Sequence, residues 1–378
     1  MKRISVKVFS VILSGMISAC GSSSTKAQEP VAGLSEADSA ISAVSETPAQ
    51  KSISMVFTGD VMMGTNFPNA STCTSDGGKN LFKDCKDIMR NADLCIINLE
   101  GACYDGPDSD CTKKYSPTST TCYIFRMPAD HVQNLVDAGV DAVNFANNHS
   151  NDFGLNGRKG TIKNMRDNGI EIVGIKGLCE GAVLERAGLK IAFVTFAASC
   201  TGTNDLNNYD EVKSLVKAYR DSCDLLVVGF HGGAEGSKYM NVPKARETFL
   251  GENRGNVMEF AHLCIDNGAD IVVGHGPHVS RAIENYNGHL IAYSLGNFAA
   301  PYMVNLAGPG GHAPLLEVSL NADGSFASGK IHSYQETRGI GPRNDPNKAA
   351  LQDIKRMTLT DFPNTKLEIT SDGEILFK

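Results

Sequence analysis

From residue 52 onward, short apolar runs alternate with amphipathic stretches of helical spacing, and turn-forming residues separate them. The runs at 52–58, 93–99, 141–146, 171–175, 225–230 and 271–274 are too short for buried helices and rich in Val, Ile and Leu, so they predict strands. Between them, residues 81–90, 128–138, 157–168, 210–222 and 256–267 carry apolar positions three and four apart and predict helices, with Pro128 opening one and Gly139 closing it. Two-residue turns at Ala187-Gly188 and Asn287-Gly288 predict hairpins over 183–196 and 281–294. Two more are predicted around Asp323-Gly324 and Asp372-Gly373, while 338–350 reads as loose. Strands separated by helices predict an α/β protein, and the added hairpins predict mixed sheets, up to a two-sheet sandwich. Residues 101–126 exceed a plain connector and predict a surface insertion.

The first fifty residues follow another pattern. Lys2, Arg3 and Lys7 precede an apolar stretch that ends in Ser18-Ala19-Cys20. This reads as an export segment, too short for a spanning helix. Its ending resembles a bacterial lipobox, which implies lipidation at Cys20 and anchoring on the extracytoplasmic face of the cell membrane. Residues 21–51, rich in Ser, Ala and Glu, predict a flexible tether. The remaining chain divides into a main domain at 52–310 and a β-rich C-terminal extension, 311–378, packed on it.

Composition narrows the partners. Of 378 residues 42% are hydrophobic and 20% charged, as in a globular protein, and the net charge is −7. Without a basic cluster beyond the N-terminus, nucleic acid is not an expected partner. An anionic substrate remains compatible, because a bound cation supplies positive charge locally. Ten cysteines remain after Cys20. Cys73, Cys85, Cys103, Cys111, Cys122, Cys179 and Cys200 fall in loop-like stretches open to disulfide formation, whereas Cys95, Cys223 and Cys264 read as buried thiols.

The ends of the strands carry the chemistry. Five of them finish in residues able to bind a metal: Asp60; Glu100; Asn148 with His149; His231; His275 with His278. In open α/β sheets ligands bind beyond the carboxyl ends of strands, so these residues predict one shared site. Carboxylate, amide and imidazole without thiolate suit Mn, Fe or Zn. One or two such ions would activate a water against an ester, with His149 stabilising charge or protonating the leaving group and Asp152 orienting its imidazole. His131, His262, His289 and His332 read as packing or surface residues, and His312 lies near a Gly-rich stretch without a partner motif.

Five motifs occur in order: Gly59-Asp60-Val61-Met62-Met63-Gly64, Asn98-Leu99-Glu100-Gly101, Ala146-Asn147-Asn148-His149-Ser150-Asn151-Asp152-Phe153-Gly154, Gly274-His275-Gly276-Pro277-His278-Val279 and Ser294-Leu295-Gly296-Asn297-Phe298. Together they resemble the CapA family of capsule and poly-γ-glutamate biosynthesis proteins, a branch similar to calcineurin-like metallophosphoesterases. The resemblance implies a four-layer αββα sandwich. It also implies a ligand set in which Asp60 and His278 serve one metal, Asn148, His231 and His275 the other, and Glu100 bridges. His149 would be the catalytic imidazole, with Glu235 and Asn297 at the substrate rim. Met62 stands where metallophosphoesterases carry a histidine, and His231-Gly232-Gly233-Ala234-Glu235 lacks the aromatic residue usual in CapA. The implied function is a metal-dependent hydrolase of capsule assembly, acting on a phosphoester or a γ-glutamyl amide beside capsule-assembly membrane proteins. The alternative is a non-catalytic scaffold that binds polymer.

Overall fold

In the computed structural model, the described residues are 51–114, 123–302 and 304–378. The export segment, Cys20, the tether up to residue 50 and Cys122 lie outside them. No helix among the described residues is long and apolar enough to cross a membrane.

The chain runs from β1 (Ser52–Val61) through α1 (Lys86–Asn91) to β2 (Leu94–Leu99), then through the short parallel pair β3 (Ala102–Cys103) and β4 (Arg126–Met127). Next come α2 (Val132–Ala138), β5 (Ala142–Asn144), α3 (Gly154–Asp167), β6 (Glu171–Val173), β7 (Gly181–Arg186) and β8 (Leu189–Ala197). They are followed by α4 (Tyr209–Arg220), β9 (Leu225–His231), the hairpin β10 (Glu247–Phe249) and β11 (Glu252–Gly255), α5 (Val257–Asp266) and β12 (Ile271–His275). The chain closes with β13 (Ile283–Tyr286), β14 (His289–Ala292), β15 (Asn297–Ala299), β16 (His312–Asn321), β17 (Phe326–Thr337), β18 (Gly341–Asn344), α6 (Ala349–Asp361), β19 (Leu367–Ile369) and β20 (Glu374–Phe377).

Two mixed sheets form. One has the order β19-β20-β17-β16-β1-β2-β5-β6, with β15 also on β1 and β18 on β17; the other is β13-β14-β12-β9-β8-β7. Alternation of side chains sorts each central strand between two cores. Ile53, Met55 and Phe57 of β1 join Leu94 and Ile96 of β2 in a core shared with Ile191, Phe193, Leu225, Val227, Ile271 and Val273 of the second sheet. The intervening Val56, Cys95 and Ile97 pack instead on Met89, Leu135, Ile162 and Met165 of α1, α2 and α3. Leu226, Val228 and Val272 turn the other way, onto Val212, Val216 and Phe260 of α4 and α5. Burial on both faces explains why these strands read as unbroken apolar runs. Helices, sheet, sheet and helices stack in that order, the expected αββα sandwich.

Residues 312–378 are integral to the first sheet, since β16 pairs antiparallel with β1 from Ser52 to Thr58. The stretch 338–350, expected to be loose, instead forms β18 and opens α6. That helix has no side-chain cap at Lys348, and its first amide is held by Asp345 Oδ2 at 2.6 Å, so the usual start signal is absent from the sequence. Residues 81–85 form turns rather than the first part of a helix. The 101–126 insertion is not confined to the surface: Ala102, Cys103, Tyr104, Ile124 and Phe125 are buried. Among the described cysteines, Cys85, Cys103 and Cys179, expected in loops, lie in the core, whereas Cys223 is only half-buried.

Glu336 on β17 is buried. Burial pushes its carboxyl well above the ordinary value of 4.5, and the nearby Ala300 amide and Arg343 charge offset this only in part. A raised folded-state value stabilises fully below the unfolded value and is lost as pH rises through the folded one. The melting temperature of Glu336→Gln should therefore gain on wild type as pH increases above 4.5. A gap independent of pH would contradict this.

Candidate metal centre

Backbone close approach gathers the strand ends. A Cβ on Gly59 would stand 2.2 Å from the carbonyl oxygen of Gly296, so only glycine lets β1 and β15 bring Asp60 beside Asn297. Gly276, at φ +113, faces Gly232, where a Cβ would lie 2.8 Å from its N and O atoms. The Gly232 amide donates to the His275 carbonyl at 2.8 Å, locking the loops after β9 and β12 together. His275 and His231 are register neighbours on those strands.

The side chains then converge. Asp60, fully buried, accepts from Asn98 Nδ2 at 2.8 Å through Oδ1 and from His278 Nδ1 at 2.9 Å through Oδ2. His275 Nδ1 lies 3.3 Å from Asp60 Oδ1, and His278 Nε2 lies 3.6 Å from Glu100 Oε1. Ligand atoms of Asp60, Glu100 and His278 all lie within 4.8 Å of one another. The His231 and His278 rings are 6.3 Å apart. Asn147 donates to the Leu99 carbonyl at 2.8 Å, which sets the Asn148–His149 loop against the Glu100 strand end.

Beside this cluster, His149 Nδ1 is 2.8 Å from Asp152 Oδ2, and the Phe125 ring stacks on the imidazole at 4.0 Å. Asp152 also accepts the Phe125 amide at 2.8 Å and pairs with Lys113 at 2.6 Å. His149, Asn148, Asp152, His278 and Glu235 line one cleft of about 680 Å³. Asn297, expected at the rim, is buried instead: it starts a strand inside the sheet, and its amide donates to the carbonyls of His278 at 3.2 Å and Gly310 at 2.8 Å. His312 pairs with Asp353 at 2.6 Å.

Charges at the centre act strongly on one another. Burial alone would raise Asp60, but His275 beside it and His278, hydrogen-bonded to it, outweigh this and hold the carboxyl low. Glu100 goes the opposite way: burial and the neighbouring Asp60 and Glu235 raise it against the His278 charge. Burial disfavours the His278 cation, yet Glu100, Asp60 and Glu235 reverse this and favour it. His231 is pushed well below its ordinary value by burial, so a neutral imidazole faces the site. Burial also lowers His149, against the pull of Asp152.

The residues present fit a divalent cation. Both Glu100 oxygens, both His231 nitrogens, Asn148 Oδ1 and His275 Nδ1 are buried without a hydrogen-bond partner. Leaving one such group unsatisfied costs about 1–3 kcal/mol, and each of these four side chains offers an atom that an ion would satisfy. Oxygen and imidazole donors without sulfur suit Mn, Fe or Zn.

Several residues of the centre escaped the sequence. Asn98, which donates to Asp60, stands in a motif where only Glu100 carries an assigned role. Lys113 lies in the stretch read as a surface insertion. Arg254, nearly buried in the cleft wall, pairs with Glu235 at 2.6 Å, a contact across 19 positions that no local pattern announces.

The chain is similar to the capsule biosynthesis protein CapA of Bacillus anthracis, 28% identical over 263 residues, covering 65% of this chain and 59% of that protein. It is similar to the PGA biosynthesis protein CapA of Bacillus subtilis (strain 168), 30% identical over 273 residues, covering 67% and 66% respectively. The chain thus spans under two thirds of the length of either relative. A solved phosphatase structure from Mycoplasma pneumoniae is similar over 79% of this chain and 96% of its own, at 17% identity and a TM-score of 0.47. The family model described as bacterial capsule synthesis protein PGA_cap matches residues 54–302, and the chain belongs to that family.

Proposed function

We propose that this chain is an exported, lipid-anchored, metal-dependent hydrolase of capsule or exopolymer assembly, cleaving a phosphoester or a γ-glutamyl amide. The observation that carries the reading is the set of partnerless buried donors on Glu100, Asn148, His231 and His275 beside the His149–Asp152 pair. One or two bound divalent cations would activate water and polarise the substrate oxygen. Asp60, Glu100 and His278 would hold one position; Asn148, His231 and His275, sharing Glu100, would hold the other. The oxygen of water bonds to the phosphorus or amide carbon, and the bond to the leaving atom breaks. His149, kept neutral by burial, takes one of the two water protons on Nε2 and passes it to that atom. Asp152 fixes Nδ1 and leaves Nε2 for this transfer.

The test is the metal content of the purified protein, paired with hydrolysis of bis(p-nitrophenyl) phosphate and of γ-glutamyl oligomers. Mn, Fe or Zn with turnover of either substrate supports the reading; neither metal nor turnover, with capsule production intact in His149→Ala, ends it. A scaffold that binds an anionic polymer, alongside membrane proteins of capsule assembly, is the second reading. It is favoured by Met62, which sits where a ligand histidine would stand and is buried with Phe125 and Ala300 in an apolar cluster. Anchoring has its own check: Cys20→Ser should move the protein from the membrane to the soluble fraction, and an unchanged distribution would rule out the lipid anchor.

A further inference from the structure

The mouth of the cleft is built differently from its floor. Tyr123, Phe249, Leu250 and Val304 line it. Leu250 is 78% exposed and Tyr123 43%. Leu250 also sits at φ +48 and precedes Gly251 at φ +83, the two residues that join β10 to β11. A two-residue turn with both positions at positive φ ordinarily takes Asn-Gly or Asp-Gly. A leucine there strains its backbone and gains almost no burial in the fold, which points to a use for its side chain outside it. From Tyr123 a run of rings leads inward: Phe125 lies 6.4 Å away and His149 stacks on Phe125 at 4.0 Å.

The charged walls select against a polyanion. Among the described lining residues, Lys113 is held by Asp152, and Arg254 by Glu235 and Glu252. Lys113 and Arg254 are thus taken up by Asp152, Glu235 and Glu252, so a chain of repeated carboxylates finds its positive partner, among the described lining residues, only at the metal end beside His278. A substrate with one anionic group at the metal end and an apolar body at the mouth needs no further cation. Resting on the hydrolase reading above, we infer that the substrate is a phosphoester whose alcohol part is apolar or aromatic, packed against Leu250 and Tyr123 while its phosphate faces His149 and the metal ligands.

Titration calorimetry of the full chain with Mn²⁺, using phenylphosphonate and methylphosphonate, isolates the apolar part because the two probes share one head group. Phenylphosphonate should bind about 10-fold more tightly, and Leu250→Asn and Tyr123→Ala should each remove much of that preference. Both variants should leave methylphosphonate affinity within about two-fold of wild type, since neither residue reaches the head group. Asparagine suits the left-handed turn, so Leu250→Asn keeps the fold. Equal affinity for the two phosphonates overturns the inference and leaves the hydrolase reading standing. Displacement of phenylphosphonate by tri-γ-glutamate more readily than by methylphosphonate also overturns it, in favour of the amide. If neither phosphonate binds and neither an ester nor a γ-glutamyl amide is cleaved, the hydrolase reading falls and takes the inference with it.

Discussion

Replacing His149 by alanine is expected to lower kcat for the cleaved substrate by about 10²–10⁴-fold, the usual contribution of a positioned acid or base, with metal content unchanged. The residue is held at three points: its imidazole by Asp152 at 2.8 Å and by the stacked Phe125 ring, and its backbone amide, which donates to Asn147 Oδ1 at 3.1 Å. None of these contacts involves Glu100, Asn148, His231 or His275, the partnerless donors, so the variant removes the proton donor without opening the ligand set. KM should move little, because the effect belongs to the transition state. Asp152→Asn is expected to repeat part of the loss and to shift the pH–rate profile, as removing an imidazole's positioning partner does. Loss of metal in His149→Ala would show that the histidine is a ligand rather than a proton donor.

How far this centre is legible in the sequence depends on whether each contact is local. The strand ends were readable because the apolar runs are short, two-sided and terminated by polar residues, and β9 and β12 indeed end at His231 and His275. The order of strands was not readable: β16 reaches β1 across some 260 positions, and nothing in either strand names the other. The Asn297 rim assignment failed because Ser294-Leu295-Gly296-Asn297 looks like a loop, whereas pairing with β1 draws it into the sheet. Helix α6 escaped for a different reason. Leu351, Ile354 and Met357 have helical spacing and are buried, but Lys348 in the left-handed conformation at its start gives no capping signal. Local chemistry marked the candidate ligands; the supports that aim them are tertiary.

Those supports carry the second large effect, at Glu247→Ala. Arg281 is fully buried and makes a two-pronged pair with Glu247, at 2.7 Å to Oε1 and 2.9 Å to Oε2. Glu247 Oε1 also accepts the Ala234 amide at 3.0 Å, while Arg281 donates to the Ala234 carbonyl at 3.2 Å. The pair therefore ties the base of the β10–β11 hairpin to the loop that carries Glu235 and to the chain just after His278. Truncating Glu247 leaves a guanidinium buried without its carboxylate, which costs about 3–5 kcal/mol. Denaturant unfolding of Glu247→Ala should show that loss as a lower midpoint with an unchanged slope. The double variant Glu247→Met/Arg281→Met removes both charges and should recover most of the stability, because a buried pair roughly breaks even against apolar residues of similar volume. Metal retention gives the independent readout: by loosening the Glu235 and His278 loops, Glu247→Ala should weaken Mn²⁺ binding about 10–100-fold, the range seen when a ligand's supporting residue is lost. Full stability in the single variant would mean that the Arg281 charge finds another partner, and that the hairpin is aimed by something other than this pair.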